Sequence, residues 1–226
     1  MYRQPSYLLR RVGYFDSSVS SDSLGKTGVL MEQVATHDNL MNINRLDARS
    51  RLFEIIRKKS LVLGDIVLAS GKHSDHYFDL KPTMLDPDGA ELLSQLIVHR
   101  LQDIHVDFIG GLVVGAVPLL APAAIESKKK GRSISGLIVR KAVKDHGTKK
   151  LVEGADDLTG KHVVVVDDVT TSGGSAMDAV DALRKLGANI VLVLSIVDRE
   201  EGAAELYAKE GIPFQSLYTS RDFLRR

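Results

Sequence analysis

Two rhythms of apolar and polar residues run along this chain. From residue 46 onward, apolar runs of strand length trade places with segments in which apolar residues recur every three or four positions, the pattern of an α/β protein. A helical rhythm starts with Leu46, Leu52, Phe53 and Ile56, just past Met41, which is a plausible natural start. The clearest helix follows Asp86-Pro87: Asp86 suits the N-cap, Pro87 the first helical position, and Leu92, Leu93, Leu96, Ile97, Leu101 and Ile104 make one apolar face. Asp107 to Val114 reads as a strand, followed by a Gly-bearing turn, Pro118, an Ala/Leu helix ending near Lys128, and a short strand from Ile134 to Val139. His162 to Val166 carries the strongest strand signal, because Val163-Val164-Val165-Val166 is apolar on both faces, as a central parallel strand must be. Gly174 to Leu186 is expected to be a helix stopped by Gly187, and Ile190 to Val197 a buried strand. A last helix from Glu200 to Glu210 precedes the apolar run Pro213 to Tyr218. Arg140 to Asp157 has no apolar period, is charged and Gly-punctuated, and is expected to be a long mobile loop. No internal repeat is visible.

The opening forty residues differ. Six serines fall from Ser6 to Ser23 without a sustained apolar pattern, so residues 1–40 are expected to form a poorly ordered extension and residues 41–226 the folded domain. Arg3, Arg10 and Arg11 precede the first acid, a faint likeness to a transit peptide that Asp16, Asp22, Glu32 and Asp38 then offset. The 226 residues, 44% hydrophobic and 26% charged, describe an ordinary folded chain. Thirty basic residues against twenty-nine acidic ones leave a charge of +1, so no global field recruits nucleic acid or an anionic membrane. Any anion preference must be local. The absence of cysteine excludes disulfides, thiolate metal sites and cysteine nucleophiles, and suits a cytoplasmic location. No apolar run reaches the ~20 residues that span a bilayer.

Such a local site is written at Val163 to Ser175, where the valine tract runs into Asp167-Asp168-Val169-Thr170-Thr171-Ser172-Gly173-Gly174-Ser175 and then a helix. Unpaired N–H groups at a turn and helix start attract an oxyanion, and Gly173 and Gly174 let it approach the main chain. Hydroxyls of Thr170, Thr171, Ser172 and Ser175 add donors, so a phosphate monoester can be wrapped without a lysine. Asp167 and Asp168 would repel that phosphate, so the ligand should present hydroxyls or a metal ion to them at a distance from it. A ribose 5-phosphate does both. A lone acidic pair at a strand end is usually only a capping turn, but the complete arrangement lies where α/β proteins bind ligands. Rival phosphate motifs fail on spacing. Ile66 stands where a P-loop preceding Gly71-Lys72 needs Gly, and Gly110, Gly111 and Gly115 do not fit G-x-G-x-x-G.

The run from Val163 to Ser175 resembles the phosphoribosyl pyrophosphate (PRPP) signature of the type I phosphoribosyltransferases, and three further regions make the chain similar to the orotate phosphoribosyltransferases among them. Arg140-Lys141-Ala142-Val143-Lys144-Asp145-His146-Gly147 resembles their catalytic loop, and Asp198-Arg199-Glu200 their orotate-contacting segment. Leu68-Ala69-Ser70-Gly71-Lys72 and Tyr77-Phe78-Asp79-Leu80-Lys81 resemble their amino-terminal hood. The likeness covers about residues 46 to 224. It implies a mostly parallel central sheet flanked by helices, a small hood largely within residues 60–85, and transfer of a phosphoribosyl group from PRPP to orotate.

Carried over by position, the resemblance gives Arg140, Lys141, Lys144 and His146 to the diphosphate, with Lys144 stabilising the transition state. Asp167, Asp168, Val169, Thr170, Thr171, Ser172, Gly173, Gly174 and Ser175 hold ribose and 5-phosphate, and Thr171 and Arg199 meet orotate, whose carboxylate suits a guanidinium. The excess of cations in Arg140, Lys141, Lys144, Lys149 and Lys150 over Asp145 would be a solvated surface in isolation. Beside a phosphate cradle it becomes a lid over residues 140–157, whose donors stabilise a leaving diphosphate. In the family this loop enters the neighbouring subunit's site, which implies a homodimer. Mg²⁺ is expected to arrive with PRPP, held by substrate oxygens and water, with no metal ligand from the protein.

Two positions depart from the family pattern: Ala69 and Gly115 stand where many orotate enzymes have Lys, leaving Lys72 or Lys81 as replacement cations. The glycines of Ile109 to Gly115 fit either a backbone loop for diphosphate or tight strand packing. His73 and His76 read as polar loop residues, not a metal pair, and His99, His105 and His162 receive no role. Two other readings remain: a phosphoribosyltransferase for another base, and a PRPP-sensing regulator that binds nucleic acid. The second would normally need a helix-turn-helix or a basic face. Neither nucleic acid nor membrane is an expected partner.

Overall fold

Four β-branched residues in a row can be buried on both faces of a strand only where helices cover both faces. In the computed structural model, which describes residues 46–67, 73–142 and 150–224, Val163 to Val166 lie in the middle of such a sheet. The assigned extension over residues 1–40 lies outside the described residues.

A helix over residues 46–59 (α1) leads into β1 (Leu61–Val67) and β2 (His73–Phe78). Then come α2 (Lys81–Met84), α3 (Pro87–Arg100), β3 (Phe108–Leu112), α4 (Val117–Lys129), β4 (Ser135–Val139) and β5 (Val152–Glu153). The chain continues through β6 (His162–Thr170), α5 (Gly174–Arg184), β7 (Asn189–Asp198), α6 (Ala203–Lys209), β8 (Phe214–Thr219) and α7 (Ser220–Leu224). Six strands form one sheet in the order β5-β4-β3-β6-β7-β8, parallel throughout except for β5. Alternation sends Val164 and Val166 to one face, among Leu93, Ile97 and Leu120, and Val163 and Val165 to the other, among Val180, Leu183 and Tyr207. This is the mostly parallel, helix-flanked α/β sheet that the sequence implies. No helix among the described residues is long and apolar enough to cross a membrane.

The topology decides where a ligand can sit. From β3 the chain moves outward through β4 to β5, then returns to place β6 on the other flank of β3, so winding reverses between β3 and β6. Open α/β sheets bind ligands beyond the carboxyl ends at such a switch point. Over that end folds a separate antiparallel hairpin, β1 with β2, which occupies the region expected to form a hood. Phe78, almost fully buried, fastens it to α7, its ring 5.3 Å from that of Phe223. Phe223 in turn stacks on Phe53 of α1 at 4.5 Å.

Several boundaries differ from expectation for identifiable reasons. Asp86 caps α3 as predicted, its side chain accepting from Gly89 N–H at 3.1 Å. The valine strand does not stop at Val166: it continues to Thr170, because β7 keeps pairing with it as far as Thr170 opposite Asp198. Residues 140–157 are not loop throughout, since buried Val152 pairs antiparallel with Val139 and makes β5. Residues 143–149 of that loop lie outside the described residues. The last long helix starts late, at Ala203, because Glu200 (φ 60°) and Gly202 (φ 105°) are left-handed. The short helix α7 was not foreseen.

Gly111 shows how tightly β3 meets β6. A Cβ there would collide with the Val166 carbonyl oxygen and with the Cβ of Ala116, neither of which can swing away. This resolves one of the two readings of the β3 glycines in favour of packing at Gly111. Gly111→Ala is expected to destabilise the protein by about 3 kcal/mol, the upper part of the overpacking range, readable as a lowered midpoint in urea unfolding. A midpoint equal to the parent's would contradict that packing.

Candidate active site

Successive residues of a strand point to opposite faces, and this governs the acidic pair. Asp167 and Asp168 are the sixth and seventh residues of β6, so they straddle the strand near its carboxyl end instead of sharing a turn. On one face Asp167 accepts a hydrogen bond from Thr170 Oγ1 at 3.0 Å. On the other, the Asp168 carboxylate lies against Gly115, where a Cβ would run into Oδ1. Gly115 thus leaves space that Asp168 fills. Burial, and next the charge of Asp168, push the Asp167 carboxyl up to about 6. Burial likewise raises Asp168, partly offset by Lys81. Two costly carboxylates at a pocket wall are a sign of function more than of stability.

Past Thr170, the chain turns through Thr171 and Ser172 to Gly173, whose φ of 87° only glycine adopts readily. Tyr207 fixes this turn by donating its hydroxyl to the Gly173 carbonyl at 3.0 Å, and a Cβ on Gly173 would sit 2.8 Å from the Tyr207 hydroxyl oxygen. No side chain caps α5, and its first turn holds no acid. The amino-terminal N–H groups of α5 therefore face outward with the positive end of its dipole, beside the exposed hydroxyls of Thr171, Ser172 and Ser175. Such an arrangement can receive an anion.

A cavity of about 400 Å³ joins these parts. Asp167, Asp168, Val169, Thr171 and Ser175 form its β6–α5 wall, with Leu112 to Gly115 beside them. Tyr77, Phe78 and Lys81 come from the hairpin side, and Arg199 follows β7. Arg199 is the unusual member. Its side chain is only 5% exposed; Nη2 reaches Glu201 at 2.9 Å and Ser74 of β2 at 3.3 Å, while Nε is buried with no partner among the described residues. A buried guanidinium with an idle N–H at a cavity wall is prepared for an acceptor the protein does not supply. Lys81 is held by Asp79 at 2.7 Å, and that hydrogen bond raises its pKa, so it faces Asp168 as a cation.

The structure gathers Lys141, Asp167, Asp168, Val169, Thr171, Ser175 and Arg199 of the candidate residues around this cavity. Thr170 is buried behind it as the partner of Asp167, and Ser172, Gly173 and Gly174 shape the cradle without lining the cavity. Arg140 is turned away, bound to Glu153 at 3.0 Å, and lines an adjoining cavity that Lys141 also borders. Lys72, Lys144 and His146 lie outside the described residues. Tyr77 and Phe78 were quoted only for their resemblance, and Tyr207 was missed: nothing in the sequence marks a buried tyrosine on α6 as the brace of a turn far from it. Among the described residues no histidine lines the cavity, so none of them supplies an imidazole base to Thr171 or Ser175. What remains is binding and electrostatics: an anion at the cradle, hydroxyls at the carboxylates, and a second anionic group at Arg199.

Residues 83–216 match the phosphoribosyl transferase domain family. An orotate phosphoribosyltransferase of Bradyrhizobium diazoefficiens is 54% identical over 181 residues, which are 79% of this chain and 97% of that protein. One from Corynebacterium glutamicum is 42% identical over 176 residues, 78% of this chain and 94% of that protein. Among solved structures, the orotate phosphoribosyltransferase of Mycobacterium tuberculosis H37Rv in complex with PRPP superposes with a TM-score of 0.65 at 33% identity, over 78% of this chain and 98% of that one.

Proposed function

The chain belongs to the orotate phosphoribosyltransferases of the phosphoribosyl transferase domain family, and from that premise we propose how its own residues move the 5-phosphoribosyl group of PRPP to orotate, giving orotidine 5′-monophosphate and pyrophosphate for pyrimidine synthesis. The observation that carries the assignment is the idle, buried Nε of Arg199 across one cavity from an uncapped helix start and two raised carboxyls. The cradle from Thr171 to Ser175 takes the 5-phosphate. Asp167 and Asp168 accept hydrogen bonds from the ribose hydroxyls, and Arg199 takes the orotate carboxylate, with Thr171 at the same base. Tyr77, exposed at the cavity rim, offers an aromatic surface against which a flat ring can lie.

The reaction breaks the bond from C1 of ribose to the diphosphate oxygen and forms one from C1 to the ring nitrogen of orotate, which attacks as an anion. No protein nucleophile is needed, and catalysis comes from positioning and from charge met at the leaving group. Mg²⁺ fits a wall bearing two carboxyls that burial disfavours as anions. When bound with PRPP it shields the diphosphate charge, and Asp167 and Asp168 are the residues that face it, through substrate oxygens and water.

Lys141 reaches the cavity and the cationic stretch continues from it, so we assign the segment between β4 and β5 the role of a lid, with Lys144 and His146 donating to the diphosphate. The homodimer, with each lid serving the neighbouring site, rests on the family likeness, and a cytoplasmic location accords with a chain free of cysteine. Lys72 and Lys81 remain as substitutes for the lysines missing at Ala69 and Gly115, and Lys81 lines the cavity. Lys144→Ala is expected to lower turnover ~10²-fold, the ~3 kcal/mol of one charge-assisted donor. Turnover within threefold of the parent would remove Lys144 from the lid's chemistry. The assignment itself is tested by mixing protein, Mg²⁺, PRPP and orotate and following the loss of orotate absorbance, with uracil and adenine as competing acceptors. Consumption of orotate in preference to both is expected, and preference for another base would overturn it.

A further inference from the structure

At the opposite end of the sheet, the amino ends of the same two strands hold a cluster that the reaction leaves unused. His105 stands in the connection from α3 to β3, Asp107 immediately before β3, and His162 at the first position of β6. The parallel register of Phe108 against Val163 sets Asp107 and His162 side by side. Their backbones then lock together: Asp107 N–H donates to the His162 carbonyl at 2.9 Å, and His162 N–H donates to Asp107 Oδ2 at 2.8 Å. The carboxylate is thereby held in one place relative to the imidazole.

Neither ring makes a hydrogen bond to that carboxylate. Nδ1 of His162 is buried without a hydrogen bond from the described residues and lies 3.7 Å from Asp107 Oδ2, and Nε2 of His105 lies 3.8 Å from the same oxygen. Both gaps exceed hydrogen-bonding range. The three ligand atoms nevertheless lie within 4.8 Å of one another, and the rings stand nearly perpendicular, 74° at 5.0 Å. Ligand atoms ~2.1 Å from a tetrahedral zinc ion are ~3.4 Å apart, so small side-chain adjustments would centre a cation among these three. Two imidazoles with one carboxylate suit zinc and its transition-metal neighbours, whereas Mg²⁺ and Ca²⁺ favour all-oxygen sites. Lys161 Nζ is 3.9 Å from the other oxygen, Oδ1, and half exposed, so it can swing away when a dication arrives.

We propose that His105, Asp107 and His162 bind a divalent transition-metal ion, Zn²⁺ by preference, with water completing a tetrahedron. The ion clips the α3–β3 connection to the start of β6. It stabilises the two strands that carry the catalytic cavity at their other ends and takes no part in the transfer.

The experiment uses the tag-free full chain, stripped with a chelator and titrated with Zn²⁺ alone, then with Co²⁺ as a spectroscopic substitute. One equivalent of zinc, the intense visible bands of tetrahedral Co²⁺, and a rise in Tm of about 5 °C at a hundredfold excess over Kd are expected. His105→Ala, at an exposed position, should weaken that equivalent about 100-fold and abolish the bands while leaving turnover intact. His162→Gln should do the same. Failure of the parent chain to bind zinc, or an equivalent bound equally well by both variants, would overturn the proposal. The orotate assay is independent of either outcome.

Discussion

Asp167→Asn is expected to make the ligand-free protein more stable while reducing kcat/KM for PRPP about a hundredfold. The stability gain follows from the carboxyl's folded-state pKa of about 6 against the ordinary 3.8. A raised carboxyl means that the folded state binds the proton more tightly than the unfolded one, so stability falls as pH climbs between these two values and stays lowered above them. At 1.36 kcal/mol per unit the ceiling is about 3 kcal/mol, and partial solvent contact brings the expected gain at pH 7.5 to about 2 kcal/mol. Asn keeps an oxygen for Thr170 Oγ1, but its Nδ2 donors replace an acceptor in a carboxyl that also takes the Asp168 N–H, which holds the gain below the ceiling. Near pH 4 the variant and the parent should be equally stable. The kinetic loss has a different origin: hydrogen bonds from sugar hydroxyls to a carboxylate contribute about 1.5–3 kcal/mol each. Urea unfolding across pH 4 to 8 together with PRPP kinetics checks both halves. A destabilised variant, or a stability gap independent of pH, would contradict the assigned environment of Asp167.

Arg199→Gln should raise KM for orotate by roughly 10²- to 10³-fold and leave KM for PRPP within a fewfold of the parent. Truncating one partner of a buried charge pair costs about 2–5 kcal/mol, because the remaining charge loses its solvent and its partner together. Arg199 is buried to this degree, and its contacts to Glu201 and Ser74 leave Nε idle. Glu201 is itself half exposed, so removing the guanidinium strands no buried anion within the protein. The split between the two Michaelis constants is the diagnostic feature, since general damage to the cavity would raise both. Equal effects on both substrates would move orotate away from Arg199.

Much of this could be read from residue order because the decisive signals were local. Asp86-Pro87 begins a helix wherever it sits, and four valines in a row are intelligible only between two helical layers. The cradle was legible for the same reason: Gly173 and Gly174 follow the hydroxyl run directly. What escaped depended on contacts distant in sequence. Val152 is a strand residue only because Val139 is free to pair with it, and β6 outlasts its valines only because β7 continues beside it. Composition cannot distinguish a glycine that admits a ligand from one that admits a neighbouring strand. At Gly111 the neighbour is the Val166 carbonyl, whereas at Gly115 it is the Asp168 carboxylate. Nor does spacing place Tyr207 beneath Gly173, or bring His105 to His162 across two strand starts.

The placement of the sugar phosphate bears most of the weight, and a crystal structure of the protein with orotidine 5′-monophosphate tests it directly. The phosphate is predicted to lie among the main-chain N–H groups from Thr171 to Ser175, the ribose diol against Asp167 and Asp168, and the orotate carboxylate against Arg199. Density that put the nucleotide away from the ends of β3 and β6, with the Thr171 to Ser175 turn closed on its own side chains, would contradict the account.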